Sequence, residues 1–84
     1  MWRLFQEIWK ERPHKSEVSG QGLGKEALTI FFHHILPKSK YEDAKFDKDN
    51  IILLTWEEHG TVENDPLKYD IINERRDKLK EKYG

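Results

Sequence analysis

Apolar residues near the N-terminus recur at intervals of three and four, which is the periodicity of one helix face. Polar residues fill the positions between them, and Pro13 interrupts the pattern shortly afterwards. The spacing predicts a helix over residues 2–11 whose apolar stripe packs on the core or, as the alternative, meets a partner helix. The stripe consists of Trp2, Phe5, Ile8 and Trp9.

Two shorter apolar runs in the middle of the chain lack the helical period. Residues 28–34 are rich in β-branched and aromatic side chains, and Asn50 opens an aliphatic run at 51–54. These runs predict two strands. The glycine-rich segment 14–24 predicts a loop or tight hairpin, and the polar segment 38–49 predicts a long loop.

Helix-start signals follow the second strand. Thr55 suits the N-cap of a short helix over residues 55–63, and Asp65 followed by Pro66 predicts the start of a final helix over 66–83. The elements together predict a small α+β fold, in which a β-hairpin and a helix lie between two helical flanks. The expected apolar side of the last helix is Leu67, Ile71, Ile72, Leu79 and Tyr83. Its expected solvent-facing charges are Glu74, Arg75, Arg76 and Asp77.

Composition limits the classes of protein that this chain can be. Its 84 residues suffice for one small domain over 1–84, with a functional core at about 28–63. The absence of cysteine excludes disulfides and thiolate metal sites. A formal net charge of −1 gives no general signal of nucleic-acid binding. The apolar runs are too short for a membrane span and no signal-peptide core is present, so we expect a cytoplasmic protein without a membrane partner.

Three of the four histidines stand in the predicted core. His33 and His34 end the first strand, and His59 lies in the helix after the second strand. A hairpin followed by a helix can bring these positions together, and imidazole is a common ligand of divalent metals. Adjacent residues of a regular strand point to opposite faces, so His33 and His34 can share a site only where the strand bends or ends. The alternative is that the three are ordinary surface or core histidines.

The order of these residues resembles the HNH nuclease family, also called the ββα-metal or His-Me finger. The matching elements are His33-His34 followed by Pro37, then Asn50 before its aliphatic run, then His59. The resemblance covers roughly residues 12 to 65. It implies a ββα-metal core within the α+β fold.

Many members of that family carry four cysteines, in two Cys-x-x-Cys knuckles, that bind a structural zinc ion. Ser16 and Ser19 stand where the first pair would be, and Thr55 and Glu58 stand where the second pair would be. The chain therefore resembles a branch of the family without the zinc knuckle. We expect packing to hold its two halves together instead, through Trp2, Trp9 and Trp56.

The resemblance implies a role for each matching residue. His34 would be the general base that takes a proton from the attacking water. His33 and His59 would hold one divalent ion, of which Mg, Mn, Ni and Zn are all candidates. Asn50 would brace the loop so that His34 is oriented.

Three further residues each have two possible roles. Glu63 lies four positions after His59 and is either a third metal ligand or a solvated carboxylate, and Gly60 weakens the helix between them. Lys38 and Lys40 follow the histidine pair and either contact DNA phosphates or keep the loop soluble.

The function that the resemblance implies is a metal-dependent endonuclease that hydrolyses phosphodiester bonds in DNA, in a phage or mobile-element setting. So short a chain has no separate DNA-reading domain, so we expect low sequence specificity or specificity supplied by a protein partner. The alternative is a catalytically inactive HNH-fold module that binds DNA or a partner. The third hypothesis is a purely structural domain. Monomer and dimer both remain open.

Overall fold

The computed structural model describes residues 1–83 and has the α+β architecture that the sequence predicts. Within that range, no helix has the length and apolar character needed to traverse a bilayer. The helices are α1 (Trp2–Glu11), α2 (Trp56–Asn64) and α3 (Asp70–Tyr83), and the strands are β1 (Phe32–His34) and β2 (Ile51–Leu53). Single 3₁₀ turns lie at Thr29–Phe31, Glu42–Ala44 and Lys48–Asn50.

The two strands form an antiparallel hairpin in which His33 pairs with Ile52 and His34 pairs with Ile51. The first strand is shorter than the predicted range 28–34, because its beginning folds into the 3₁₀ turn. The turn places the successive residues Phe31 and Phe32 in the same core cluster, whereas adjacent residues of a regular strand point to opposite faces.

The hairpin is buried on both faces, and the alternation of β2 divides the core into two clusters. Ile51 and Leu53 belong to the cluster beneath α1, whereas Ile52 and Leu54 belong to the cluster beneath α2 and α3. The first cluster is completed by Phe5, Ile8, Trp9, Leu23, Phe31 and Phe32. The second is completed by Ile35, Leu36, Ala44, Val62, Ile72 and Leu79. Helices on both sides therefore fix the position of the hairpin.

The α1 helix has the predicted bounds and packs on the core. Phe5, Ile8 and Trp9 are buried, and Phe5 stacks on Phe32 with ring centroids 4.3 Å apart. Trp2 is 44% exposed and lies at the edge of this contact. The prediction that the stripe packs on the core is confirmed for Phe5, Ile8 and Trp9.

The α2 helix begins as predicted. Thr55 is its N-cap: the Thr55 hydroxyl accepts a hydrogen bond from the Glu58 amide, and the Glu58 carboxylate accepts one from the Thr55 amide. This reciprocal capping box satisfies two amide groups that the first helical turn would otherwise leave unpaired.

The predicted start of the last helix is wrong, because α3 begins at Asp70. Asp65 instead closes a turn, in which its carboxylate and carbonyl oxygens accept from the amides of Leu67 and Lys68. Leu67 consequently lies outside the helix and is 70% exposed. Ile72 and Leu79 form the buried side of α3.

The expectation that three tryptophans hold the two halves together is also wrong in part. Trp9 is buried, but Trp56 and Trp2 are both exposed, at 66% and 44%. Hydrogen bonds link the halves instead: the buried Ser16 hydroxyl donates to the Glu58 carboxylate at 2.5 Å, although the two residues are 42 positions apart.

The four positions compared with knuckle cysteines therefore converge in space. Ser16 Oγ also accepts from the Ser19 amide, and Glu58 joins Ser16 to the Thr55 cap. Burial raises the pKa of Glu58, but hydrogen bonds from Ser16, the Thr55 amide and Ser19 outweigh it and hold the pKa below its ordinary value. A charged carboxylate thus fastens the 14–24 loop to the start of α2.

Candidate functional site

The end of the hairpin brings His33 close to the α2 helix. The rings of His33 and His59 lie edge to face, with centroids 5.1 Å apart. Both side chains are half-buried. The structure thus brings together the two residues predicted to share a metal ion.

The backbone sets the tautomer of His59. Its Nδ1 lies 2.6 Å from the carbonyl oxygen of Ile30, in the turn before β1. A carbonyl oxygen only accepts, so Nδ1 carries the proton and the lone pair of the neutral ring is on Nε2. Nε2 lies 3.4 Å from a carboxylate oxygen of Glu63. Only a proton on Nε2 or a shared cation makes this approach of two electron-rich atoms favourable.

His34 is held on the other side of the strand. Its ring lies 6.0 Å from that of Phe5 on α1, and its Nε2 lies 3.2 Å from the Lys45 carbonyl oxygen in the loop between the strands. The same argument from the carbonyl acceptor places the proton on Nε2 and leaves the lone pair of the neutral ring on Nδ1. The two adjacent histidines therefore have different neighbours, as the alternation of a strand requires.

A buried amide fastens the loop that orients His34. The Asn50 side chain is 0% exposed, and its Oδ1 accepts from the Leu36 amide at 2.7 Å. Its Nδ2 donates to the carbonyl oxygens of Leu36 and Ala44 at 3.1 and 3.2 Å. Because Ala44 directly precedes Lys45, Asn50 holds the carbonyl that contacts His34.

Both strand-end histidines open into one depression of about 350 Å³, which we call the histidine cleft. Lys40 and Glu63 also line it, whereas Lys38 does not. The complete lining is His33, His34, Ile35, Leu36, Pro37, Lys40, Tyr41, Val62, Glu63, Pro66, Arg76 and Lys80. The strand ends at His34, which is the condition under which adjacent histidines can share a site.

The surroundings favour the neutral form of both strand-end rings. Burial, reinforced by the charges of His59, His34 and Arg76, lowers the pKa of His33 to about 4. Burial also lowers the pKa of His34, with a contribution from the charge of Lys38, although the hydrogen bond to the Lys45 carbonyl opposes the shift. Both rings therefore have a free lone pair at neutral pH, as a ligand or a base requires.

The types of donor atom fit a divalent cation, but the donors are not gathered into one closed group. Among residues 1–83, no group of three or more His, Cys, Asp or Glu side chains is gathered closely enough to hold a metal ion. Donors instead approach in pairs, His33 with His59 and His59 with Glu63. Imidazole nitrogen with carboxylate oxygen is a donor set that first-row divalent metals accept.

Two further residues of the cleft were not among the predicted site residues: Arg76 was expected to face solvent on the last helix, and Lys80 had no assigned role. Arg76 and Lys80 belong to α3, and both line the cleft beside His33 and His34. Their spacing of four was a visible signal of a shared helix face. The direction of that face depends on how α3 packs, which the sequence does not state.

His14 and Arg75 are also more than solvated loop and helix residues. The His14 ring stacks on Trp9 with centroids 3.9 Å apart, and its Nε2 lies 2.9 Å from the Trp9 carbonyl oxygen. Arg75 donates to Glu17, whose other carboxylate oxygen accepts from Arg12. Neither residue lines the histidine cleft.

Comparison of the chain with models of protein families, with curated proteins and with solved structures finds no match. An assignment of function therefore depends on the geometry of the histidine cleft and on the chemistry of its residues. Of the predicted site residues, His33, His34, Lys40 and Glu63 line the cleft, and His59 lies against two of them. Asn50 lies behind it, buried in the loop.

Proposed function

We propose that this protein is a metal-dependent endonuclease that hydrolyses phosphodiester bonds in DNA. The observation that supports it most is the meeting of His33 with His59 beside the cleft into which His34 opens. Two imidazoles from β1 and one from α2 thus lie at or beside this cleft. The resemblance to HNH nucleases implies that His34 is the general base and that His33 and His59 are metal ligands.

His34 is the proposed general base. The carbonyl of Lys45 holds the proton on Nε2, so Nδ1 is free to accept a proton from water. The lowered pKa keeps the ring in its neutral form at pH 7. Asn50 is a positioning residue, because it fixes the loop that carries the Lys45 carbonyl.

His33 and His59 are the proposed metal ligands, with Glu63 as the third. A divalent ion bound there would stabilise negative charge on phosphate oxygen atoms. The Ile30 carbonyl orients His59 so that Nε2 is the free nitrogen, which is how backbone groups commonly fix metal-binding histidines. Experiment identifies the metal among Mg, Mn, Ni and Zn.

The cleft also suits a polyanion. Three cationic side chains and one carboxylate line it: Lys40, Arg76, Lys80 and Glu63. Lys38 stands next to the cleft and lowers the pKa of His34 through its charge. These side chains would contact phosphates, and phosphate contacts carry little sequence information. We therefore expect either low sequence specificity or specificity supplied by a protein partner.

The test is nicking of supercoiled plasmid in Mg²⁺, Mn²⁺ or Ni²⁺, with and without a chelator. We expect wild-type protein to cleave and the His34→Ala variant to lose the activity about a hundredfold or more, which is the usual range for a lost general base. His14→Ala is the matched control, because it removes an imidazole outside the cleft, and it should cleave like wild type. Equal cleavage by His34→Ala and His14→Ala would contradict the assignment.

Metal binding separates the ligands from the base. In calorimetric titration with Mn²⁺ or Zn²⁺, His33→Ala and His59→Ala should bind more weakly than wild type, whereas His34→Ala should bind equally well. Circular dichroism spectra verify that each variant is folded. Equal affinity in all three variants would contradict the ligand set.

A binding module without catalysis is the second candidate. The absence of a closed group of three ligands in residues 1–83 favours it. On this hypothesis the same cationic cleft would bind DNA or a partner. Tight DNA binding without cleavage in any of the three metals would support it over the nuclease.

A further inference from the structure

The α3 helix contributes a cationic wall to the histidine cleft. Arg76 and Lys80 are separated by four residues and so share one helix face, about 6 Å apart along the axis. Both line the cleft together with His33 and His34. The charge of Arg76 is close enough to contribute to the lowered pKa of His33.

Arg76 is held in place by two hydrogen bonds, and neither acceptor carries a negative charge. Its Nη1 donates to the Asn73 side-chain oxygen at 2.8 Å, and its Nη2 donates to the Pro66 carbonyl oxygen at 2.9 Å. Both acceptors are neutral. A guanidinium has five N–H groups, so three remain for another acceptor.

The other two arginines that are anchored in the fold differ from Arg76. Arg12 and Arg75 each form an ion pair with Glu17, at 2.8 and 3.0 Å. Across residues 1–83, by contrast, no carboxylate pairs with Arg76 or Lys80. A half-buried, fixed cation that has no carboxylate partner and lines the cleft with His33 and His34 is an arrangement suited to an anionic ligand.

We propose that Arg76 binds the phosphate that faces His33 and His34, and that Lys80 binds the neighbouring phosphate of the same nucleic-acid strand. The guanidinium supplies two N–H groups in one plane, which matches two phosphate oxygens, whereas the ammonium acts as a point charge. The assignment of the first phosphate as the one that is cleaved depends on the proposed function. Phosphate binding itself does not.

Binding without metal tests the phosphate contacts separately from cleavage. A fluorescein-labelled DNA duplex is titrated with protein in EDTA, and anisotropy is measured between about 50 and 200 mM salt. Each lost phosphate contact should reduce the slope of log affinity against log salt by about 0.9. We expect that reduction for Arg76→Gln and for Lys80→Gln.

Lys78→Gln is the matched control, since Lys78 lies on α3, is exposed and lines a different depression with Arg75. It should keep the wild-type slope. Arg76→Gln also removes the bonds to Asn73 and Pro66, so its effect on folding is measured by urea denaturation. Lys80 is exposed and anchors no other residue in the described chain, so Lys80→Gln decides the result if Arg76→Gln is unfolded.

Cleavage kinetics distinguish the two phosphates. If Arg76 binds the phosphate that is cleaved, Arg76→Gln should lower kcat about a hundredfold, as the loss of a donor to developing charge does. Lys80→Gln should raise KM and leave kcat unchanged.

The outcomes separate the two hypotheses. A wild-type protein that binds DNA without cleaving it, with reduced slopes in both variants, contradicts the nuclease and supports the phosphate contacts. A wild-type protein that cleaves DNA, with unchanged slopes in both variants, supports the nuclease and overturns the phosphate contacts. Absence of DNA binding by the wild type overturns them too.

Discussion

Asn50 shows how much one side chain can organise in a chain of this size. It makes three buried hydrogen bonds to Leu36 and Ala44, and it thereby ties the beginning and the middle of the loop between the strands to the start of β2. An unpaired polar group at such a site would cost about 1–3 kcal/mol. The bracing role that the resemblance implied for Asn50 stays a prediction.

Asn50→Ala should lower the free energy of unfolding by about 2–4 kcal/mol, because it leaves backbone groups unpaired and creates a cavity. Urea denaturation followed by tryptophan fluorescence measures the change. Asn64→Ala is the control, since Asn64 is exposed at the end of α2 and its side chain bonds, within residues 1–83, only to the Gly60 carbonyl. It should change the same quantity by about 0.5 kcal/mol or less. Equal losses in both variants would exclude a special role for Asn50.

At the scale of elements, the start of α2 is the best-defined helix boundary in the chain. The Thr55 cap and the Glu58 carboxylate satisfy each other's backbone amides, and Ser16 extends this cap to the 14–24 loop. Asp65, by contrast, does not begin a helix: it is engaged in a turn, and α3 begins five residues later at Asp70. Capping residues at Thr55 and Asp65 thus had different outcomes, because Asp65 bonds to the nearby amides of Leu67 and Lys68 instead of beginning a helix.

Thr55→Ala should destabilise the protein by about 1–2 kcal/mol, as the loss of an N-cap does. Thr61→Ala is the matched control, because it makes the same change inside α2, where the Thr61 hydroxyl donates to the Glu57 carbonyl. The control should stay within about 0.5 kcal/mol of wild type, since alanine favours the helix interior. Thermal and urea denaturation measure both, and a neutral Thr55→Ala variant would show that the cap does not stabilise α2.

Across the whole molecule, charged ties join segments that are distant in sequence. Glu17 accepts from Arg12, Arg75 and the Leu53 amide, so it links the end of α1, the hairpin and α3. Asp47 accepts from Lys82 and from the Tyr83 hydroxyl, so it links the loop to the end of α3. These ties occur in a chain that has no disulfide to restrict its unfolded state.

Asp47 makes stability depend on pH in the acid range. Burial raises the pKa of its carboxyl, but hydrogen bonds from Lys82, Tyr83 and the Asp49 amide outweigh burial and lower the pKa below its ordinary value. The stabilisation is therefore fully present above the unfolded aspartate pKa of about 3.9 and is lost as pH falls through the folded-state pKa. Asp47→Asn should reduce stability at neutral pH and should make the acid loss of stability smaller than in wild type.

Urea denaturation at about pH 7, 5 and 3 measures this difference across the range in which an aspartate titrates. Asp49→Asn is the control, because it removes an exposed carboxylate two residues away, and it should keep the wild-type dependence on pH. An Asp47→Asn variant that loses as much stability in acid as the wild type would contradict the role of Asp47.

The sequence predicted the parts of the site that depend on local order. The histidine pair at a strand end, the aliphatic strand after Asn50 and the capped helix with His59 all follow from residue types and spacing. Arg76 could not be assigned in this way, because Asn73 and Pro66 fix its guanidinium only after the turn before α3 has formed. Contacts between distant segments have no periodic signature in the chain.

The sequence by itself determined the α+β class, the extent of α1 and the capped start of α2, because hydrophobic period and capping act over a few neighbouring residues. The tertiary structure alone decided that Ser16 meets Glu58, that His33 faces His59 while His34 faces Phe5, and that α3 turns Arg76 and Lys80 toward the histidines. The physical reason is that burial of both hairpin faces fixes how the helices pack, and this packing brings together side chains that are far apart in the chain.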